Sequence, residues 1–186
     1  RVIARFAKGA SLVTGTQMSD STELAMWEQV VSHVMSPSLG IAEPRDLVSV
    51  LQFVSSSPVG VKEPETYKCA MDFLLPQLIS TAPLMDSRSL SECLLYLSRT
   101  GSVPGFSQAV DAVKLSAVRN AEHMDQDSLA TIVFALGRLG GFNGSAQPLG
   151  RAIDVEAMSP SSLAKLLVGI CQTRPTKLPD DCTPSG

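Results

Sequence analysis

The amino-acid sequence predicts an all-α protein, an α-solenoid of two-helix repeats that are each about 34–43 residues long. Three observations lead to this prediction: four segments align without gaps, each carries the same helical stripe of apolar residues, and each begins with a residue that favours the start of a helix. A single two-helix unit cannot bury its apolar stripe alone, so neighbouring units stack and bury it together. The competing interpretation is a compact, irregular helical bundle.

The four segments share an anchor leucine and an apolar stripe. Further apolar residues follow each anchor by three, four and seven positions, which is the spacing of one face of an α-helix. In the last segment these residues are Leu166, Leu167 and Ile170, and stacking is expected to bury them as it buries the others. The anchors lie 43, 39 and 34 residues apart and are Leu47, Leu90, Leu129 and Leu163.

The residue four positions before each anchor is suited to begin a helix. Asp and Ser accept a hydrogen bond from a free amide of the first turn, and an acid also interacts favourably with the positive end of the helix dipole. Gly101 and Gly140 indicate where the second and third of these helices end. The predicted starting residues are Glu43, Asp86, Asp125 and Ser159.

A second, less regular helix is predicted after each of the first three anchored segments. Pro76 lies inside the first of these helices and predicts a kink or a break. In the last one, Leu149, Ile153 and Val155 form the apolar stripe. The three stretches are residues 64–84, 105–124 and 145–158.

The N-terminal segment, residues 1–19, is basic. It contains Arg1, Arg5 and Lys8, and no acid precedes Asp20. A basic, acid-free and amphipathic start is typical of an organelle transit peptide or its remnant, with the mitochondrion as the first choice and the plastid as the alternative. An ordinary basic first helix is the other interpretation.

The chain is therefore divided into three parts. Residues 1–19 are the basic segment, residues 20–172 the helical-repeat array and residues 173–186 a Pro-rich polar tail. At the start of the array, residues 19–35 predict a helix with Leu24, Trp27, Val31 and Val34 facing inward. About nine helices and no strand are expected in all.

Two of the anchored segments carry a pattern that is familiar from known proteins. In SLSECLLYLSRTG and SLATIVFALGRLG, Ser-Leu is followed by apolar residues and then by Leu-x-Arg-x-Gly. This pattern resembles the octotricopeptide and heptatricopeptide repeats, the latter often found with a RAP domain. The resemblance covers roughly residues 40–175. It implies two-helix units of an RNA-binding protein of mitochondria or plastids.

Charge bears directly on RNA binding. The net charge is −3, and no repeat unit has more bases than acids, so no continuous track for phosphates is expected. Arg99 and Arg138 nevertheless both follow their anchor leucine by nine residues. They are the candidate RNA-binding residues, because a solenoid that binds RNA needs phosphate contacts. The interpretation that the sequence favours is a cation complementing the helix dipole.

No catalytic, cofactor or metal site is predicted. The only histidines are His33 and His123, and neither has a cysteine or a second histidine at metal-binding spacing. Cys69, Cys93 and Cys171 lie in apolar stretches and are expected to be buried, reduced thiols.

The glycine-rich run at residues 137–144 resembles neither a dinucleotide fingerprint nor a phosphate-binding loop. It follows a helix and no strand, so helix capping is its better explanation. No apolar run reaches the roughly 18–20 residues that span a bilayer. A membrane span is therefore not expected.

Together these features predict a non-catalytic scaffold of an organellar ribonucleoprotein assembly, with the mitochondrial ribosome as the first candidate. Its expected partners are other protein subunits, with RNA contact through local arginine clusters left open and no small-molecule substrate. Two alternatives remain: a stand-alone organellar RNA-binding or processing factor, and an accessory soluble subunit of a respiratory-chain or ATP synthase complex. An enzyme is the least favoured class.

Overall fold

The computed structural model describes residues 43–56, 64–100, 103–142 and 144–173, together with the isolated helical residues 25 and 29. These residues contain no strand, so the predicted all-α class is confirmed for them. Short 3-10 turns, Ala82–Leu84 and Ala121–His123, follow the second and fourth α-helices. The α-helices are α1 (Pro44–Ser56), α2 (Pro64–Thr81), α3 (Ser87–Leu97), α4 (Phe106–Asn120), α5 (Gln126–Arg138), α6 (Ala146–Ala152) and α7 (Pro160–Gln172).

The helices contact one another in a regular order. The four anchored segments form the odd-numbered helices, and these pack in sequence: α1 on α3, α3 on α5 and α5 on α7. The even-numbered helices lie alongside, with α2 on α1 and on α4, and α4 on α3. The short helix α6 contacts α5 and the 3-10 turn that follows α4. Each odd-numbered helix is therefore placed next to the one before it.

The predicted starting residues begin the odd-numbered helices. Three of them accept a hydrogen bond from a backbone N–H of the first turn, which confirms the capping prediction for these three. The accepting side chains and their distances are Asp86 from Ser89 at 2.8 Å, Asp125 from Ser128 at 2.8 Å and Ser159 from Ser162 at 3.2 Å. In all four helices, the carbonyl of the starting residue also accepts a bond of 2.9–3.2 Å from the anchor leucine.

The core is built from the faces that the helical periodicity predicts. The anchors Leu90 and Leu129 are fully buried, and Leu47 is almost so. α2 contributes its own apolar face and continues through Pro76, so of the predicted kink or break, the break is wrong. The largest fully buried side chains include Phe53, Met71, Leu74, Leu78, Leu94, Leu97 and Ile132.

The last apolar stripe is largely uncovered, contrary to the prediction. Leu166 is 5% exposed, but Leu167 and Ile170 are 55% and 50% exposed. The residues of α1, α3 and α5 at the positions that match Leu167 and Ile170 are at most 3% exposed. The physical reason is the packing of α7, which lies mainly on α5, while no described helix packs on it as extensively as α2 packs on α1.

The helix α6 is shorter than the sequence predicts. It ends at Ala152, so Val155 lies beyond it and is 53% exposed, which makes the inward prediction for that residue wrong. Leu149 is buried as expected. The amide of Gln126 fixes the end of α6: its Nε2 donates to the carbonyl of Ala152 at 3.1 Å, and its Oε1 accepts from the N–H of Asp154 at 2.9 Å.

Two glycines allow α5 and α7 to cross closely. A Cβ atom at Gly137 would collide with the backbone of Gly169, and one at Gly169 would lie 2.6–2.8 Å from backbone atoms of α5. Gly137 is thus a packing residue, and capping does not explain the whole glycine-rich run. Capping does explain Gly140 and Gly141, which have φ angles of 101° and 122° and close α5 in a Schellman motif through a 2.9 Å bond to Leu136.

Several predictions lie outside the described residues. These are the basic segment at residues 1–19, the polar tail beyond residue 173 and the helix end at Gly101. In the predicted helix at residues 19–35, only residues 25 and 29 are described, and both are helical and exposed.

The Asp86 cap gives the fold a pH-dependent contribution. Burial acts to raise the pKa of Asp86, but hydrogen bonds from Arg45 and Ser89 outweigh it and lower the pKa from 3.8 to about 2. A lowered pKa in the folded state means that the charged cap stabilises the protein above about pH 4 and loses this effect as the pH falls towards 2. We expect urea unfolding to show this loss for the wild type.

Asp86→Asn serves as the matched variant, because asparagine caps about as well as aspartate but does not titrate. The stability difference between the two proteins is expected to shrink as the pH falls from about 4 to about 2. Asp86→Ala, which has no cap, is expected to lose about 1 kcal/mol at neutral pH. A wild-type advantage over Asp86→Asn that persisted at pH 2 would contradict the assignment.

Candidate interaction surface

Polar depressions lie across the odd-numbered helices. One of about 400 Å³ lies between α3 and α5 beside α7, and one of about 230 Å³ lies between α1 and α3. Both are lined by the same charged residues of α3, so we treat them together as the polar groove. Its charged residues are Arg45, Arg88, Glu92, Asp125, Asp127 and Lys165.

The charges of the polar groove are balanced. Three bases lie among three acids, and two of the bases are paired: Arg88 donates to Glu92 at 2.8 Å, and Arg45 donates to Asp86 at 2.7 Å. The arginines of both pairs are more than three-quarters exposed, so each pair contributes little to stability. The pairing does matter for binding, because it leaves no run of uncompensated positive charge for phosphates.

Polar contacts within the groove join α5 to α7. The Asp127 carboxylate accepts from the hydroxyl of Ser162 and, at 3.3 Å, from that of Ser159. Lys165 donates through Nζ to the hydroxyl of Thr131 at 3.3 Å. These bonds hold the N-terminal halves of two helices together, and they give Asp127 and Lys165 a structural role.

The structure places the two candidate RNA-binding arginines at the C-terminal ends of neighbouring helices. Arg138 is the last residue of α5, and Arg99 follows the end of α3 by two residues. Both side chains are exposed. Each guanidinium lies over an aromatic ring of its own helix: Arg99 is 5.7 Å from the centre of the Tyr96 ring, and Arg138 is 5.9 Å from that of Phe134.

The aromatic partners of these arginines, Tyr96 and Phe134, are not among the site residues that the sequence predicts. The spacing of three residues to Tyr96 and of four to Phe134 was the available signal, because residues at these distances are neighbours on a helix surface. Stacking on a ring is worth about 0.5–1 kcal/mol at an exposed site. It favours a position of each cation over its ring without neutralising the charge.

The cysteines differ from one another in exposure. Cys93 is fully buried, as predicted, and burial raises the pKa of its thiol to about 12. Cys69 and Cys171 are exposed, so the prediction that they are buried is wrong. Each of them lies next to an apolar residue in sequence but off the inward stripe of its helix.

An apolar cleft of about 190 Å³ lies where α5, α6 and α7 meet. It exists because α6 is short and leaves part of α5 and α7 without a cover. Polar atoms contribute almost nothing to its walls. We call it the α6–α7 cleft, and it is lined mainly by Val133, Phe142, Leu149, Ile153, Leu166 and Ile170.

The described residues hold no group of three or more histidine, cysteine, aspartate or glutamate side chains arranged to bind a metal ion. His123 lies exposed in the 3-10 turn after α4, and His33 is outside the described residues. Among the helices of the described ranges, none combines the length and the hydropathy needed to cross a bilayer.

Comparison with known proteins finds no match among protein-family models, curated proteins or solved structures. The resemblance to octotricopeptide and heptatricopeptide repeats therefore stays a prediction that depends on the two Leu-x-Arg-x-Gly segments.

Proposed function

We propose that the protein is a non-catalytic α-solenoid that acts as a scaffold in an organellar ribonucleoprotein assembly, with the mitochondrial ribosome as the specific candidate. The observation that carries this proposal is the order of helix contacts, in which α1, α3, α5 and α7 pack one after another with the even-numbered helices alongside. Such an array offers long surfaces to neighbours rather than one enclosed site.

Two surface properties favour protein neighbours over a free RNA strand. The polar groove carries equal numbers of acids and bases, and two of its arginines are already paired with carboxylates. On α7, the last described helix, by contrast, large apolar side chains are about half exposed. Exposed apolar surface of this kind is typical of contact with other proteins.

The organelle is supported by sequence features alone. These are the basic, acid-free segment at residues 1–19 and the resemblance of residues 40–175 to organellar repeats. The proposal of a mitochondrial location follows from them, with the plastid as the alternative.

Sedimentation of an organelle lysate through a gradient tests this function. We expect the protein to migrate with a ribosomal subunit and to stay there in high salt, because apolar contacts are not screened by ions. Migration as a light particle that RNase disperses would overturn the scaffold proposal and favour a stand-alone RNA-binding factor. Migration with a detergent-solubilised respiratory or ATP synthase complex would overturn it in favour of an accessory subunit.

Arg99 and Arg138 support the RNA-binding alternative, because they are exposed, lie over aromatic rings and are placed at neighbouring helix ends. We nevertheless expect the double variant Arg99→Ala/Arg138→Ala to sediment like the wild type, since two cations supply few of the contacts in an assembly. Ultraviolet crosslinking to RNA gives the decisive comparison. Loss of crosslinking in the double variant, with an unchanged circular dichroism spectrum, would show that these arginines bind RNA.

A further inference from the structure

Arg99 and Arg138 differ from the other charged residues because no acid lies near them in the chain. Arg99 is the only charged residue in the stretch 93–110, and Arg138 is the only one in the stretch 128–150. Both side chains are exposed, and neither guanidinium has a carboxylate partner among the described residues. We call these two residues the arginine edge. It carries two positive charges that nothing described in the fold neutralises.

The arginine edge lies at one end of two neighbouring helices. The N-terminal halves of α3 and α5 lie side by side along the polar groove, so their C-terminal ends, which carry Arg99 and Arg138, are neighbours as well. Both arginines follow their anchor leucine by nine residues, which places them at the same level of the array. Helices that pack on each other lie about 8–10 Å apart, and this distance sets the spacing of the two cations.

We propose that the arginine edge is a docking site for an acidic, extended segment of a partner protein, in which two carboxylates bind the two guanidinium groups. An extended chain rises about 3.3 Å per residue, so acids three residues apart are separated by about 10 Å and match the two cations. The inference rests on the proposed function, since it names the chemistry of one contact between the scaffold and a neighbouring subunit.

The guanidinium groups are prepared to accept carboxylates. Arg99 lies 5.7 Å from the centre of the Tyr96 ring and Arg138 lies 5.9 Å from that of Phe134, and contact with a ring leaves the positive charge in place. A guanidinium has five N–H donors in a planar fork that matches the two oxygens of a carboxylate. Because no described carboxylate occupies these donors, an incoming acid meets no competitor at either arginine.

A short acidic segment fits this edge better than an RNA strand does. Proteins that bind single-stranded RNA stack its bases on open aromatic faces, but Tyr96 is only 8% exposed, and the rings of Tyr96 and Phe134 each have a guanidinium over them. RNA also needs a longer row of cations. A strand that continued from the arginine edge along α3 and α5 would meet carboxylates of the polar groove, which are Glu92, Asp125 and Asp127.

A glutamate-rich peptide of defined composition tests the docking site. The probe is a fluorescein-labelled peptide of about 13 residues with glutamate at every third position and glycine or serine elsewhere, and the control peptide has glutamine in place of each glutamate. We expect the full chain to bind the glutamate peptide saturably below about 1 mM at low salt, and not to bind the glutamine peptide. Raising the salt to about 1 M should abolish binding, because exposed charges are screened.

A pair of matched variants localises the effect. Arg99→Gln/Arg138→Gln is expected to weaken binding of the glutamate peptide at least about tenfold, because it removes both charge-assisted contacts. Arg119→Gln/Arg151→Gln is the control, since it removes the same charge from two exposed arginines in the last turns of α4 and α6, and it should bind as the wild type does. All four side chains are exposed, so both variants should fold, which circular dichroism verifies.

The outcomes separate this inference from the proposed function. Absence of saturable binding up to about 1 mM, or equal weakening in both double variants, would overturn the docking site. Tighter binding of a polyuridine of about 12 nucleotides, lost in Arg99→Gln/Arg138→Gln, would overturn it in favour of RNA, and oligomers that this variant dissociates would assign the edge to a second copy. Peptide binding as expected in a protein that never sediments with a ribosomal subunit would support the docking site and remove the ribosomal role.

Discussion

Replacing Leu129 by aspartate is expected to remove most of the stability of the protein. Leu129 is fully buried in the main apolar core, and α5 packs on α3, α6 and α7. A buried carboxylate without a compensating charge costs about 3–5 kcal/mol. Domains of this size are stable by only about 5–15 kcal/mol, so a single change of this magnitude is severe.

Urea and thermal unfolding, followed by circular dichroism, measure this effect. Leu129→Ala separates lost packing from buried charge and should cost about 2–5 kcal/mol. Leu84→Asp introduces the same charge at a leucine that is 74% exposed, and we expect a change within about 0.5 kcal/mol. An unfolding curve of Leu129→Asp that matched the wild type would contradict the packing of α5 described above.

The way in which Leu129→Asp unfolds also distinguishes the solenoid from a compact bundle. In a solenoid each unit depends on its neighbours only, so damage to α5 should release α5, α6 and α7 while α1 to α4 keep much of their protection. In a bundle with one shared core, all helices should lose protection together. Hydrogen exchange resolved by mass spectrometry reports this difference helix by helix.

The helices themselves could be predicted because their signals are local. The stripe after Leu90 and the cap at Asp86 both depend on residues within a few positions of each other, and a helix places such residues in contact whatever surrounds it. The exposure of Cys69 was predictable on the same basis. The buried stripe of α2 includes Met71, Leu74 and Leu78, which are spaced by three and four residues. Cys69 is not at this spacing from them, so it lies off the stripe and is exposed.

Burial of the last stripe could not be predicted in this way. Leu167 and Ile170 have the same spacing from their anchor as Leu94 and Leu97, yet their exposure differs because it depends on which helix lies opposite. The periodicity of a sequence indicates which face is apolar, but it carries no information on whether that face is covered.

In the candidate site, too, the features that depend on neighbouring residues of one helix could be predicted, and those that depend on contacts between helices could not. The positions of Arg99 and Arg138 at helix ends followed from the repeat, and their ring partners lie within four residues. The α6–α7 cleft depends instead on the length of α6 relative to α2 and α4. Pro148 and Gly150 are poor helix formers, so the sequence indicates that α6 is a weak helix. The sequence does not indicate that α6 ends early enough to leave a cleft against α7.

Substitution of Gly169 by alanine is expected to destabilise the protein even though alanine is the better helix former. A Cβ atom at Gly169 would lie 2.6 Å from the carbonyl oxygen of Val133, and backbone atoms cannot rotate away as a side chain does. α5 and α7 must then separate. The gain in helix propensity is about 1 kcal/mol, whereas overpacking of a close contact costs typically 1–3 kcal/mol, so the loss should prevail.

Gly150→Ala provides a control of opposite sign. Gly150 also lies inside a helix, and a Cβ atom there would meet nothing within 4 Å. The same chemical change should therefore raise stability by up to about 1 kcal/mol. The midpoint of urea unfolding should move down for Gly169→Ala and up for Gly150→Ala. Equal shifts in one direction would show that α5 and α7 do not cross at these glycines.

The double variant Gly137→Ala/Gly169→Ala tests whether one contact accounts for both effects. Gly137 and Gly169 face each other across the crossing, so a separation of the helices that relieves the first clash also relieves much of the second. We therefore expect the double variant to lose less stability than the sum of the single variants. Strict additivity would indicate that the two residues act independently, and it would contradict a shared crossing point between α5 and α7.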